Sequence, residues 1–281
     1  MHMERDRVAV ATGATAGIGQ WIALGLARAG YRVVLVGRDR ARGEAVRGWI
    51  GGHVPDAATE LIAADLSSMA ATRALAAEIR ARHPRLALLM NNAGAFHWRR
   101  AETAEGHEQA LAVNHLAPFV LTRALAPALG AGAPARVINT GSVLSDLTGL
   151  GLDDLESRRR WNPLFAYARS KLALLMQTLD WAERLRGAGV DVNVVHPGAV
   201  ATTLVREGGA VGFGWRALRP VFLTPEQGAE GPLHVALDPA LTGIGGRYFK
   251  RRREARPNRL ALDAALRERL WAETERLVGP G

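Results

Sequence analysis

Six short, largely apolar runs punctuate the first two thirds of the chain, at residues 8–11, 32–36, 61–64, 86–90, 136–139 and 190–195. Between them lie longer stretches whose apolar residues recur every three or four positions, at 21–29, from about residue 40, at 69–82, 111–129 and 167–186. Short continuous apolar runs suit strands buried on both faces, and the three-to-four spacing suits helices that bury one stripe. Their regular alternation predicts an α/β fold: a doubly wound parallel sheet with helices on both faces, with residues 1–281 forming one domain. The last third is less regular. Thr224, Pro225, Glu226 and Gln227 carry a helix-start signature, with a hydroxyl cap, proline in the first turn and an amide able to reach back. Residues 260–278 predict an amphipathic closing helix, and Lys250, Arg251, Arg252 and Arg253 read as a solvated turn.

Composition narrows the function classes. The 281 residues are 48% hydrophobic and 22% charged, which is ordinary for a globular protein. A net charge of +9 raises nucleic acid, a membrane surface or a small anion as partner. Only Lys171 and Lys250 are lysines, so the excess is almost wholly arginine, and no nucleic-acid motif accompanies it. Nucleic acid is therefore not expected as a partner. The absence of cysteine excludes disulfides, thiolate catalysis and cysteine-ligated zinc. His97, His115 and His196 lack metal-ligand spacing, so no metal is expected. No run approaches a membrane span, and the first strand begins at Val8, leaving no room for a signal peptide. The expectation is a cytoplasmic protein with no integral membrane segment.

Candidate chemistry sits where strands end. After the first run come Thr12, Gly13, Ala14, Thr15, Ala16, Gly17, Ile18 and Gly19, a strand, glycine turn and helix start able to bring phosphate to backbone amides. The second ends at Gly37, Arg38 and Asp39. In a dinucleotide-binding fold this is where the adenosine ribose is read, arginine favouring a 2′-phosphate and an acid a free hydroxyl. Arg38 favours NADP(H); Asp39 either keeps NAD open or caps the next helix. Asp65, beside Leu66, either caps a helix or meets adenine. Asn91, Asn92, Ala93 and Gly94 form an amide-rich turn after the fourth run. Asn114 lies within a helix, where a buried amide needs partners, and Thr140, Gly141 and Ser142 follow the fifth run. Tyr167 and Lys171, four positions apart on a helix, share a face, and an ammonium beside a phenol is expected to lower the phenol pKa.

In this order the motifs resemble the short-chain dehydrogenase/reductase family over essentially the whole chain. The sequence around Tyr167 to Lys171, His196-Pro197-Gly198, and the endings at 246–249 and 270–271 resemble its retinol-dehydrogenase-like branch. The resemblance implies a Rossmann-type sheet and hydride transfer between NADP(H) and a lipophilic alcohol, ketone or aldehyde. It implies Tyr167 as general acid or base and Ser142 as hydrogen-bond donor to the substrate oxygen. Lys171 would tune Tyr167 and hold the nicotinamide ribose, and Asn114 would order a relay water. Gly13, Gly17, Ile18 and Gly19 would line the pyrophosphate; Arg38 would meet the 2′-phosphate, and Asp65 with Leu66 the adenine. Asn92, Ala93 and Gly94 would flank ribose, and Pro197, Gly198, Val200 and Thr202 the carboxamide. Gly141 stands where many relatives carry a second serine. The interval from Ser142 to Tyr167 is long, as in this branch, so 145–166, with Trp161 and Phe165, is expected to border substrate. Arg158, Arg159 and Arg160 within it read as solvated. The aromatic, glycine-rich stretch 204–222 is expected to form a lid. Helices 111–129 and 167–186 offer faces for a homodimer. The competing readings are an NAD-dependent alcohol dehydrogenase, a dinucleotide sensor without turnover, and a basic scaffold.

Overall fold

Each expected apolar run is a strand in the computed structural model, which describes residues 7–200 and 222–280. They are β1 (Val8–Thr12), β2 (Arg32–Gly37), β3 (Thr59–Ala63), β4 (Leu88–Asn91), β5 (Ala135–Thr140) and β6 (Val190–His196). Two further strands, β7 (Tyr248–Lys250) and β8 (Arg253–Ala255), were not expected; three residues each carry too little periodicity to read. Among the described residues these form one sheet in the order β3-β2-β1-β4-β5-β6-β7-β8. All neighbours are parallel except β7 with β8. The run at 250–253 is thus the turn of a hairpin, with Arg251 at φ +57.

The sheet is covered on both sides, and side-chain alternation along each strand divides the core in two. Val8, Val10, Val34, Val36, Leu89, Val137, Val192, Val194 and Tyr248 enter one cluster. Ala9, Ala11, Val33, Leu35, Leu88, Met90, Ile138, Val195 and Phe249 enter the other. The second is roofed by α1 (Gly17–Arg28) and α2 (Arg40–His53), and by the helix Pro225–Leu237 near the end of the chain. The first is roofed by α3 (Met69–Arg82), by the helical run 109–131 and by the helix Pro163–Leu185.

Three helix boundaries differ from expectation, each for a local reason. The run expected at 111–129 begins as α4 (Gln109–Leu111), widens into a π-turn at Ala112–Leu116 and continues as α5 (Ala117–Ala131). The helix expected from residue 167, here α6 (Pro163–Leu185), starts four residues earlier. Asn162 caps it by accepting from the amides of Leu164 and Phe165, with Pro163 in the first turn. The expected insertion therefore ends in a helical turn. The capping box of Thr224 and Gln227 forms as expected and opens α7 (Pro225–Leu237). The closing helix α8 starts at Ala264, after a 3-10 turn at Arg259–Leu262, and spans Ala264–Val278.

α8 lies across α5 and α6. Trp271 packs its ring 4.8 Å from both Phe119 and Trp181, and Arg267 donates to Asp180 at 2.7 Å and to Glu183 at 2.9 Å. Part of the helical face expected for a dimer contact is thus covered from within the chain.

Candidate active site

Every expected site residue within the described region lies on a loop following the carboxyl end of a strand or on the helices bordering that edge. The strand order reverses direction between β1 and β4, the crevice in which ligands bind in open α/β sheets. Thr12 stitches that crevice. Its hydroxyl accepts from the amides of Asn92 and Ala93, both at 3.0 Å, and donates to the Met90 carbonyl at 3.3 Å. Asn92 Nδ2 returns a bond to the Thr12 carbonyl at 3.2 Å. A Cβ on Gly13, where φ is +63, would come within 2.8 Å of Ala93 Cα, and one on Gly19 would overlap the Gly13 carbonyl. The three backbones meet at a distance that side chains forbid.

α1 opens at Ala16 with no side-chain cap and no acid in its first turn. Its first amides and the positive end of its dipole suit an anion, so this turn fits the phosphates of a dinucleotide. Arg38 follows β2 and is exposed. Asp39 accepts from the Arg42 amide at 3.0 Å and pairs with Arg42 Nε at 3.2 Å, so it caps α2 as one of its two readings held. Asp65 does not cap α3: it accepts from the Ser67 amide at 2.9 Å, and Ser68 is the cap. Leu66 beside it is buried. Across the crevice Pro197 is buried and Gly198 sits at φ +102. Val200 packs against α7, where a Cβ on Gly228 would meet Val200 at 2.7 Å and Ile18 at 3.1 Å. Thr202 and most of the stretch 204–222 lie outside the described residues.

Ser142, Tyr167, Lys171 and Asn114 come together. Ser142, at the start of the 3-10 turn Val143–Leu147, accepts from the Leu144 amide at 3.3 Å and lies beside Tyr167. Tyr167 is half-buried as a residue, yet its titrating end is enclosed: burial pushes the phenol above its ordinary value, and the neighbouring Ser142 hydroxyl offsets part of this. Lys171 lies one turn on, its Nζ 6.0 Å from the Tyr167 ring centre, and donates to the Thr140 carbonyl at 2.8 Å. Burial lowers its pKa to about 7. The expectation that Lys171 brings the phenol below its ordinary value is therefore corrected. The ammonium is itself destabilised by burial, and desolvation of the phenol outweighs any help it gives.

Asn114 sits in the π-turn, a backbone widening common at functional positions. Its side chain accepts from the Ala95 amide at 2.8 Å and donates to the Ala95 carbonyl and to Ser170 Oγ, both at 2.9 Å. Ser170 Oγ in turn donates to the Tyr167 carbonyl at 2.7 Å. The motif spacing gives no sign of the roles of Ser170 and the aromatic Phe96, whose ring lies 5.6 Å from Tyr167 and 5.0 Å from Trp98, and Thr12, expected only as part of the glycine turn, ties the two strand ends together. Phe96, only two residues beyond Gly94, could have been found by its place at the strand edge. Val143, Leu147, Leu164 and Phe165, on the segments flanking Ser142 and Tyr167, are exposed, Leu147 by 76%. Of the three arginines read as solvated, Arg159 and Arg160 are exposed, whereas Arg158 pairs with the buried Glu156 and donates to the Gly106 carbonyl. No cluster of three or more metal-ligating side chains exists among the described residues.

A short chain dehydrogenase family model matches residues 7–210. The chain belongs to that family. A polyprenol dehydrogenase of Mus musculus is 41% identical over 287 residues, covering 98% of this chain and 84% of the relative. Retinol dehydrogenase 12 of Homo sapiens is 37% identical, covering 97% and 86%. These relatives belong to the retinol-dehydrogenase-like branch. Among solved structures, an uncharacterized protein from Mycobacterium Paratuberculosis superposes with TM-score 0.77 at 28% identity, covering 97% of this chain and 93% of that one. The Pseudomonas aeruginosa RhlG/NADP active-site complex superposes with TM-score 0.70 at 29% identity, covering 87% and 94%. The chain is an oxidoreductase of the short-chain dehydrogenase type, with a Rossmann-type nucleotide fold.

Proposed function

We propose that the protein transfers a hydride reversibly between NADP(H) and a lipophilic alcohol and its aldehyde or ketone, running as a carbonyl reductase where reduced NADP prevails. The observation that carries this reading is the Ser142 hydroxyl beside the Tyr167 phenol, with Lys171 one helical turn on. A phenol held neutral by burial enters reduction with its proton in place, so Tyr167 is the general acid, and the general base in reverse. The Ser142 hydroxyl holds the substrate oxygen as charge develops on it. Lys171 holds the nicotinamide ribose, and Asn114 orders a water that relays protons outward. NADP(H), when bound, supplies or accepts the hydride.

In this reading Gly13, Gly17, Ile18 and Gly19 receive the pyrophosphate, and Asp65 and Leu66 the adenine. Asn92, Ala93 and Gly94 flank ribose, and Pro197, Gly198, Val200 and Thr202 meet the carboxamide. NADP rather than NAD is favoured because Arg38 is exposed after β2 while the one acid beside it is engaged as a helix cap. The NADP bound in the RhlG complex supports the same choice. A lipophilic substrate is favoured by the apolar rim of Val143, Leu147 and Phe165 and by the polyprenol and retinol named for the relatives. We further take residues 1–281 as one catalytic domain working in the cytoplasm, which cell fractionation checks.

Consumption of NADPH and of NADH over a panel of retinal, polyprenal, fatty aldehydes, steroid ketones and polyketide-type ketones tests the reading. At least one lipophilic carbonyl should be reduced with NADPH about tenfold more efficiently than with NADH, and Arg38→Ala should erase that preference, as expected for about 1.4 kcal/mol of phosphate contact. Equal or better use of NADH by the unaltered protein would establish the NAD-dependent alternative instead.

A further inference from the structure

The segment that carries Ser142 lies along α6 and is held by polar ties as well. In the 3-10 turn Val143–Leu147 the only buried residue is Ser145, and the apolar Val143 and Leu147 are 37% and 76% exposed. Ser145 Oγ donates to the Ser142 carbonyl at 2.6 Å. Asn258 Nδ2, far along the chain, donates to the carbonyls of Ser145 at 2.8 Å and Thr148 at 3.0 Å. The carboxylate of Asp146 is drawn into β7: its Oδ2 lies 2.8 Å from Lys250 Nζ and accepts from the Tyr248 hydroxyl at 3.3 Å.

The hairpin of β7 and β8 reaches the other side of the crevice as well. The Arg251 amide donates to the His196 carbonyl at 2.8 Å, and a Cβ on Gly198 would lie 3.8 Å from Arg251 Cδ. One short hairpin thus touches the segment of Ser142 and the turn of Pro197 and Gly198. Asp146 has 16% of its side chain exposed and Lys250 44%, so the pair is shielded enough to hold a geometry. Two donors meeting on one carboxylate oxygen also fix direction, which a single surface ion pair does not.

We propose that Asp146, Lys250 and Tyr248 form a clamp that positions Ser142 against Tyr167. They are positioning residues and do not meet the substrate. The clamp rests on the reading of Ser142 as the group that holds the substrate oxygen. A displacement of Ser142 by a fraction of an ångström weakens a bond that counts in the transition state and leaves nucleotide binding alone.

Lys250→Met, Asp146→Asn, the double variant and Lys250→Arg test this, with NADPH and the fastest carbonyl of the panel. Lys250→Met and Asp146→Asn should each lower kcat about tenfold, while the Kd for NADPH by fluorescence stays within about twofold. The double variant should be no slower than the worse single, because both remove one contact. Lys250→Arg, which keeps the charge, should retain most of the rate. Wild-type kcat in Lys250→Met, or losses that multiply in the double variant, would overturn the clamp. So would a fall in melting temperature with no change in kcat. If Asp146→Asn does not fold, Lys250→Met, altering a side chain half in solvent, decides alone. Ser142→Ala run in parallel separates the two readings. Unchanged turnover in Ser142→Ala removes the role of Ser142 and the clamp with it, whereas loss in Ser142→Ala with none in Lys250→Met removes the clamp alone.

Discussion

A phenol and an ammonium one helical turn apart do not by themselves make a low-pKa tyrosine. Lys171 donates a hydrogen bond to the Thr140 carbonyl and burial lowers its pKa to about 7, while burial raises Tyr167. Ultraviolet difference titration of the ligand-free protein against Tyr167→Phe should therefore find Tyr167 ionising above its ordinary value of 10.0. Lys171→Met should not raise it further, its loss appearing instead as weaker binding of NADPH. A phenolate forming near neutrality without nucleotide would reverse this account. Tyr167 and Lys171 were legible by their spacing on one helix face, and Ser142 and Asn114 by the order of motifs that resembles the family. The sign of the Tyr167 shift was not. It depends on how much solvent reaches two atoms, which is a property of the packed site and not of spacing.

At the scale of elements, six strands and their helices were legible because buried strands and one-sided helices leave different periods in the sequence. The π-turn at Ala112–Leu116 left none, since one inserted residue shifts the register without changing composition. Buried polar ties across elements were equally hidden. Asn91 Nδ2 donates to Asn139 Oδ1 at 2.9 Å, Asn139 Nδ2 to Thr178 Oγ1 at 2.8 Å, and Thr178 Oγ1 to the Leu174 carbonyl at 2.6 Å. This chain joins β4, β5 and α6 directly beneath the strand edge that carries Ser142. Asn139→Leu leaves two buried polar groups without their partner, so urea denaturation should find it less stable by about 2 to 4 kcal/mol. A change below about 0.5 kcal/mol would mean that the neighbours find other partners and that the network does not hold the helix to the sheet.

For the whole molecule, two histidines held neutral by burial contribute to the response to acid. Burial lowers His115 to about 3 and His196 to about 4, from an ordinary value of 6.5. His115 is fully enclosed, with its Nε2 2.8 Å from the Thr274 hydroxyl of α8. Between pH 6.5 and these values the unfolded chain binds protons that the folded chain refuses, so stability is full above 6.5 and falls as pH drops through the window. Melting temperature followed from pH 7 to pH 4 should decline, and should decline less steeply in His115→Asn even though that variant starts lower. No helix among the described residues is long and apolar enough to cross a membrane. The central claim is that Tyr167 and Ser142 serve hydride transfer from NADPH to a lipophilic carbonyl, and isotope transfer reads it most directly. With NADPH deuterated at the transferred position, the alcohol formed by the unaltered protein should carry one deuterium. Tyr167→Phe should bind the nucleotide as before and form that alcohol at least about a hundredfold more slowly. Alcohol without deuterium, or an unchanged rate in Tyr167→Phe, would contradict it.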